Sequence, residues 1–200
     1  HWAGASGLPA YDHNPQRSRQ LLQQAGYDAA NPLELVYKTS ADPFRIRIAT
    51  IIQSQLADVG IRMTIRSYDW GTFFGDIKAG RFQLYSLTWV GIKTPDIFRY
   101  VFHSESLPPG GANRGRYRSS EADSLIVAAE SGGDPARQAG LYRQLQELLL
   151  RDLPYVPLWY EDQLFASRAG VEGYVVAADG NFDGLDQVRR TAAAAANQSD

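Results

Sequence analysis

Two stretches of this sequence gather side chains able to hold a small ligand: "KTSAD", Lys38 to Asp42, and "TWVGIKTPD", Thr88 to Asp96. Hydroxyls at Thr39, Ser40, Thr88 and Thr94 can donate and accept hydrogen bonds. The ammoniums of Lys38 and Lys93 suit anionic or neutral polar groups, and the indole of Trp89 offers an apolar face. Gly91 opens the chain so that the backbone amides of Val90, Gly91 and Ile92 can serve as donors. Asp96, just after Pro95, adds a carboxylate. Such groups suit the holding of a solute; the plainer alternative is that Trp89 belongs to the core and Lys93 is solvated.

Other groupings are poorer in chemistry. Glu161 and Asp162 are adjacent carboxylates, but neighbours on a strand point to opposite faces, so they form an acid and base pair only if a turn bends them together. A small α/β hydrolase or glycosidase using Glu161 with Asp96 or Asp162 is the rival reading from the enzyme class. His1, His13 and His103 include no two at a helical metal spacing, so neither a metal nor a cofactor is expected. No Gly-x-Ser-x-Gly, phosphate-binding loop or dinucleotide fingerprint is present. "NRGRYR" brings Arg114, Arg116 and Arg118 around Tyr117, a pattern able to grip phosphate or stack a base. The whole chain carries 20 basic and 22 acidic residues for a net charge of -2, which supplies no field toward nucleic acid, so the arginines read as a surface loop or a contact to an anionic ligand group.

The absence of cysteine removes disulfides and thiolate chemistry. No apolar run reaches the roughly 20 residues of a membrane span, and the first residues show no leader pattern. The end "TAAAAANQSD" is low in complexity and has no periodic apolar face; its triplet Asn197, Gln198, Ser199 fits a glycosylation acceptor only formally. Residues 1–190 therefore read as one folded region and 191–200 as a tail.

The elements that position these groups follow from pattern. Asn14 with Pro15 starts a helix over about 15–25 that Gly26 stops, and "LELVYK" (33–38) alternates as a strand. From Pro43 to Gly60, apolar residues recur at intervals of three and four, the spacing of an amphipathic helix. "IRMTIRSY" (61–68) is a second strand, Asp69 caps a helix to about Ala79, and "RFQLYSLTW" (81–89) is a third strand. Alternation of this kind predicts parallel strands joined by helical crossovers, an α/β fold. Open α/β sheets bind ligands beyond the carboxyl ends of their strands, which nominates 38–42 and 88–96. Further on, a short helix is predicted over 95–103, a loop over 106–118, helices from Ser120 and from Asp134 to about Asp152, and two short strands in "PYVPLWYEDQLFASR" around a turn at Glu161 and Asp162.

Taken in order, "YDHNPQRSRQLLQQAGY" (11–27), "LELVYK", "IIQSQLADVGIRMTIRSYDWGTFFGDIKAGRFQLYSLTWVG" (51–91), "NRGRYRSSEADSLI" (113–126), "LYRQLQELLLRDLPYVPLWYEDQLFA" (141–166) and "VEGYVV" (171–176) closely resemble family 5 extracytoplasmic solute-binding proteins. The likeness spans about residues 10–185. It implies a periplasmic protein serving an ABC importer of peptides, nickel or some oligosaccharides. It further implies one lobe, the carboxyl-terminal one, of a two-lobed type II periplasmic-binding fold, mainly a parallel sheet with helices on both faces and first strands ordered 2-1-3. The implied partners are an oligopeptide or related solute, the membrane permease and the missing amino-terminal lobe. That strand order selects the same two loops. Peptide-binding members carry acidic residues after the tryptophan, one of which holds the peptide's amino terminus. Here Val90, Gly91, Ile92, Lys93 and Thr94 stand there, and Asp96 is the nearest substitute unless it caps the next helix. Extended peptides in such sites are held mainly through backbone hydrogen bonds, which gives weight to the amides of Val90 to Ile92.

Overall fold

Short polar side chains set the helix boundaries in the computed structural model, which describes residues 2–8 and 10–191. His1 and the Asn197 triplet lie outside those residues. Helix α1 (Pro15–Gln24) begins where Asn14 Oδ1 accepts the N–H of Arg17 at 2.8 Å. Helix α2 (Pro43–Ala57) begins where Asp42 Oδ1 accepts that of Arg45 at 2.9 Å, and α3 (Trp70–Lys78) where Asp69 Oδ1 accepts that of Thr72 at 3.0 Å. Helix α4 (Ile97–Phe102) has Asp96 at its cap position with no side-chain bond to the helix. Helices α5 (Ser120–Glu130) and α6 (Pro135–Asp152) are capped by Ser119 and Asp134. Each cap satisfies an amide that the first turn leaves without an intrahelical partner. Gly60 and Gly80, at φ 93° and 73°, adopt the left-handed turn that ends α2 and α3.

Strands β1 (Glu34–Ser40), β2 (Arg62–Tyr68) and β3 (Leu84–Tyr85) form one parallel sheet in the order β2-β1-β3, the order expected. Tyr37 stands opposite Ile65 on one side and Leu84 on the other. Odd-numbered residues of β1 face α2: Leu35 and Tyr37 pack with Ala49, Ile52 and Met63. Even-numbered Lys38 reaches Asp76 of α3. Helices therefore cover both faces, as a parallel sheet requires. A second core forms where α6 turns Tyr142, Leu145, Leu148 and Leu149 toward Ala122, Ile126 and Ala129 of α5, with Phe98 and Phe102 of α4 packed against them. The amino-terminal segment joins this core through Ala3, held by Gln146 Nε2 donating to its carbonyl at 2.9 Å.

The chain divides into two compact units, one comprising residues up to Leu87 with Asp96–Tyr155, the other Thr88–Pro95 with the chain from Val156 onward. The second unit contains strands β4 (Val171–Glu172) and β5 (Arg189–Arg190), paired antiparallel, and a 3-10 turn at Asp183–Gln187.

Three expectations about strands are corrected. The first strand runs to Ser40, so Lys38, Thr39 and Ser40 belong to the ladder, opposite Arg66, Ser67 and Tyr68, rather than to a loop. Its partner β2 is equally long, and the pairing continues until Asp42 starts α2. The third strand is two residues long instead of nine; on its amino-terminal side Gln83 Oε1, a side-chain oxygen, takes the Val36 N–H at 2.6 Å. Nor do residues 154–168 contain a strand. Pro154 and Pro157 lack backbone donors, and Tyr160 and Leu164 stand exposed, so no neighbouring strand completes a ladder there.

Candidate functional site

In the first unit, the carboxyl end of β1 carries three of the nominated residues in three different settings. Lys38 Nζ donates to Asp76 Oδ2 at 2.6 Å, and Arg81 Nε donates to Asp76 Oδ1 at 2.8 Å. Hydrogen bonds from Lys38 first and Arg81 second hold the Asp76 carboxyl below its ordinary pKa. The Lys38 ammonium also lies 5.5 Å from the centre of the Tyr68 ring. Thr39 is buried within the sheet at 2% exposure, and Ser40 is half-buried. Beside them the Tyr37 hydroxyl donates to Ser86 Oγ at 2.6 Å, tying the end of β1 to the residue after β3. Asp96, in the same unit, stands at the start of α4.

In the second unit, the loop 88–95 is held by side chains far along the sequence. Thr88 Oγ1 donates to Glu161 Oε1 at 3.3 Å, so Glu161 is engaged by the loop. Trp89 is half-buried, whereas Val90 and Ile92 are exposed. Gly91, at φ 75°, donates its N–H to the carbonyl of Asp179 at 3.0 Å. One of the three amides expected to meet a ligand is thus already committed. The Lys93 ammonium is ion-paired with the Asp183 carboxylate. The Asp183 hydrogen bond, with the charges of Asp183 and Asp179 behind it, pushes the Lys93 pKa above that of an ordinary lysine.

Sequence reasoning passed over Asp76, Asp179, Asn181 and Asp183. For the last three a signal existed. Asp179, Asn181, Asp183 and Gly184 match the start of a D-x-N-x-D-G cation loop, although Arg190 occupies the twelfth position where a glutamate would complete it. Asn181 Nδ2 donates to Asp179 Oδ2 at 2.7 Å and the Asp183 N–H donates to Asn181 Oδ1 at 2.8 Å, which stiffens the turn.

The arginine-rich loop folds onto its own unit. Asn113, 1% exposed, donates through Nδ2 to the carbonyls of His103 and Tyr117 at 3.1 and 2.8 Å, and its Oδ1 accepts the Tyr117 N–H at 2.8 Å. The Arg114 guanidinium lies 5.3 Å from the centre of the Phe74 ring, which also carries Lys78 at 5.1 Å and stacks on Trp70. Tyr117 donates to Asp152 at 2.7 Å; burial first, and that bond second, push its pKa up to about 12. A shallow groove on the first unit, lined by Asp123, Val127, Ser131 and Arg137 among others, includes none of the nominated residues. Among the described residues no helix is long and apolar enough to cross a membrane.

A parallel β2-β1-β3 sheet with helices on both faces is the frame of a type II periplasmic-binding lobe. The ABC transporter-associated periplasmic binding protein DppA from Helicobacter pylori, solved with the peptide STSA, superposes with a TM-score of 0.79 at 26% identity, over 94% of this chain and 37% of that one. Residues 1–106 match the family "Bacterial extracellular solute-binding proteins, family 5 Middle", and the chain belongs to that family. Two relatives from Pseudomonas aeruginosa are similar along most of the chain: Di/tripeptide-binding protein 2, 30% identical over 82% of this chain, and Di/tripeptide-binding protein 4, 32% identical over 83%. The chain spans about a third of their length, 31% and 32%. The family is one of extracellular binding proteins.

Proposed function

We propose that this chain is the carboxyl-terminal lobe, residues 1–190, of the solute-binding component of an ABC importer. It would work in the periplasm, capturing a peptide-like ligand together with an amino-terminal lobe and delivering it to the membrane permease. Capture proceeds by binding alone: an open cleft admits the solute, the lobes close by a hinge, and the permease reads the closed form. No reaction and no cofactor enters. The observation that carries this reading is the sheet order. Chain order reverses between β1 and β3, and ligands of open α/β sheets lie beyond the strand ends at such a point. The residues assigned to ligand contacts are Lys38, Thr39, Ser40, Thr88 to Thr94 and Asp96. The di/tripeptide-binding relatives support a peptide as cargo.

One observation favours a second reading within the same family. Between Trp89 and Pro95 there is no acidic side chain to meet a peptide's ammonium, and a buried charge without a partner is costly. A non-peptide or anionic solute, such as an oligosaccharide or a nickel chelate, fits that departure. Native mass spectrometry of the complete protein purified from its own host separates the two. A bound mass that fragments as a short peptide is expected; a carbohydrate or metal chelate in its place rules out peptide as the cargo.

A further inference from the structure

The Lys93 ammonium is ion-paired with Asp183, the third acidic or amide position of the D-x-N-x-D-G turn. Asp183 binds it directly and Asp179 adds its field, while the same turn clamps Gly91 through the Asp179 carbonyl. Side chains of both partners are more than half exposed, at 58% and 69%, so the pair contributes little to stability, and its consequence lies in the charge presented by the loop. Lys93 and Asp183 together are neutral. With Asp179 counted, the assembly carries one net negative charge: one lysine against two aspartates. A ligand approaching loop 88–95 therefore meets a masked cation.

We propose that Asp183 is the specificity-determining residue of this loop: by neutralising Lys93 it lets the loop accept a solute carrying a free ammonium although no acid stands between Trp89 and Pro95. The inference rests on the reading of loop 88–95 as ligand-facing. Removing Asp183 takes the hydrogen-bonding partner from Lys93, raises the charge of the assembly by one and turns the loop toward anionic solutes, and removing Lys93 lowers it by one and turns the loop toward cationic ones. Removing both returns the assembly to the net charge of the parent.

The test uses the complete protein and three probes titrated by calorimetry: trialanine, its N-acetyl derivative with one net negative charge, and its carboxamide with one net positive charge. The quantity read is the affinity ratio of the acetylated to the amidated peptide. Asp183→Asn is expected to raise that ratio about tenfold, and Lys93→Met to lower it about tenfold. The double variant should return to within about twofold of the parent. A ratio unmoved by Asp183→Asn, with or without a response to Lys93→Met, overturns the inference while leaving the peptide reading in place. A parent protein that takes none of the three probes removes the peptide reading itself, and the inference with it.

Discussion

Replacing Leu145 by alanine is expected to destabilise the chain by about 3 to 5 kcal/mol, read as a shift in urea unfolding followed by far-ultraviolet circular dichroism. Leu145 is fully buried at 0% exposure, in the middle of the α6 stripe that meets Ala122, Ile126 and Ala129 of α5. The small alanines on α5 let the two helices approach closely, which leaves little room for the structure to relax into the vacated volume. Cavity cost therefore adds to the lost transfer energy of the leucine side chain. Leu141 is only partly buried at the edge of the same cluster and should tolerate alanine better. A loss below about 1 kcal/mol at Leu145 would mean that α5 and α6 are not packed as described.

Asn113→Ala is expected to cost about 3 kcal/mol by the same measurement. Its amide bonds two carbonyls and one N–H in a setting closed to water, and truncation leaves the Tyr117 carbonyl and N–H without this partner and the His103 carbonyl with the Ser106 N–H at 3.0 Å. An unsatisfied buried group is penalised by its whole desolvation cost, which is why one small side chain carries so much. Asn113→Asp should not rescue it. A carboxylate retains the acceptor for the Tyr117 N–H but faces the His103 and Tyr117 carbonyls with negative charge and no donor. The Tyr117 amide should exchange its hydrogen markedly faster in Asn113→Ala. Unchanged exchange at Tyr117 would contradict the network. Because Asn113 sets the course of residues 103–117, it also fixes where Arg114 meets Phe74.

These two positions mark the difference between what patterns reveal and what they conceal. The helices were legible because capping is local: Asn14, Asp42, Asp69, Ser119 and Asp134 each bond an amide two or three residues ahead, and the apolar repeat of α6 survives unbroken in the sequence. Strand order followed from a resemblance carried by the 51–91 block, and the sheet has that order. Strand length was not legible. Whether "RFQLYSLTW" forms nine ladder residues or two depends on what lies opposite, and a Gln83 side chain taking the Val36 N–H leaves no trace in periodicity. The β-forming residues 158–165 likewise lacked only a partner to pair with. Residue types in the two candidate segments were visible, but their engagements were not. Lys38 meets Asp76, 38 positions away, and Lys93 meets Asp183, 90 positions away. A charge that looks free in the sequence can be spent on a distant partner, and only the tertiary arrangement reveals it.

The idea on which the rest depends is that this chain contributes half of a solute site. Titration calorimetry of trialanine into the complete protein and, separately, into this 200-residue chain tests it most directly. Half a site supplies half of the hydrogen bonds and leaves the ligand open to water, so the expected result is saturable binding by the complete protein and weak or undetectable heat from the chain alone. Binding by the chain as tight as that of the complete protein would contradict the two-lobed capture proposed above.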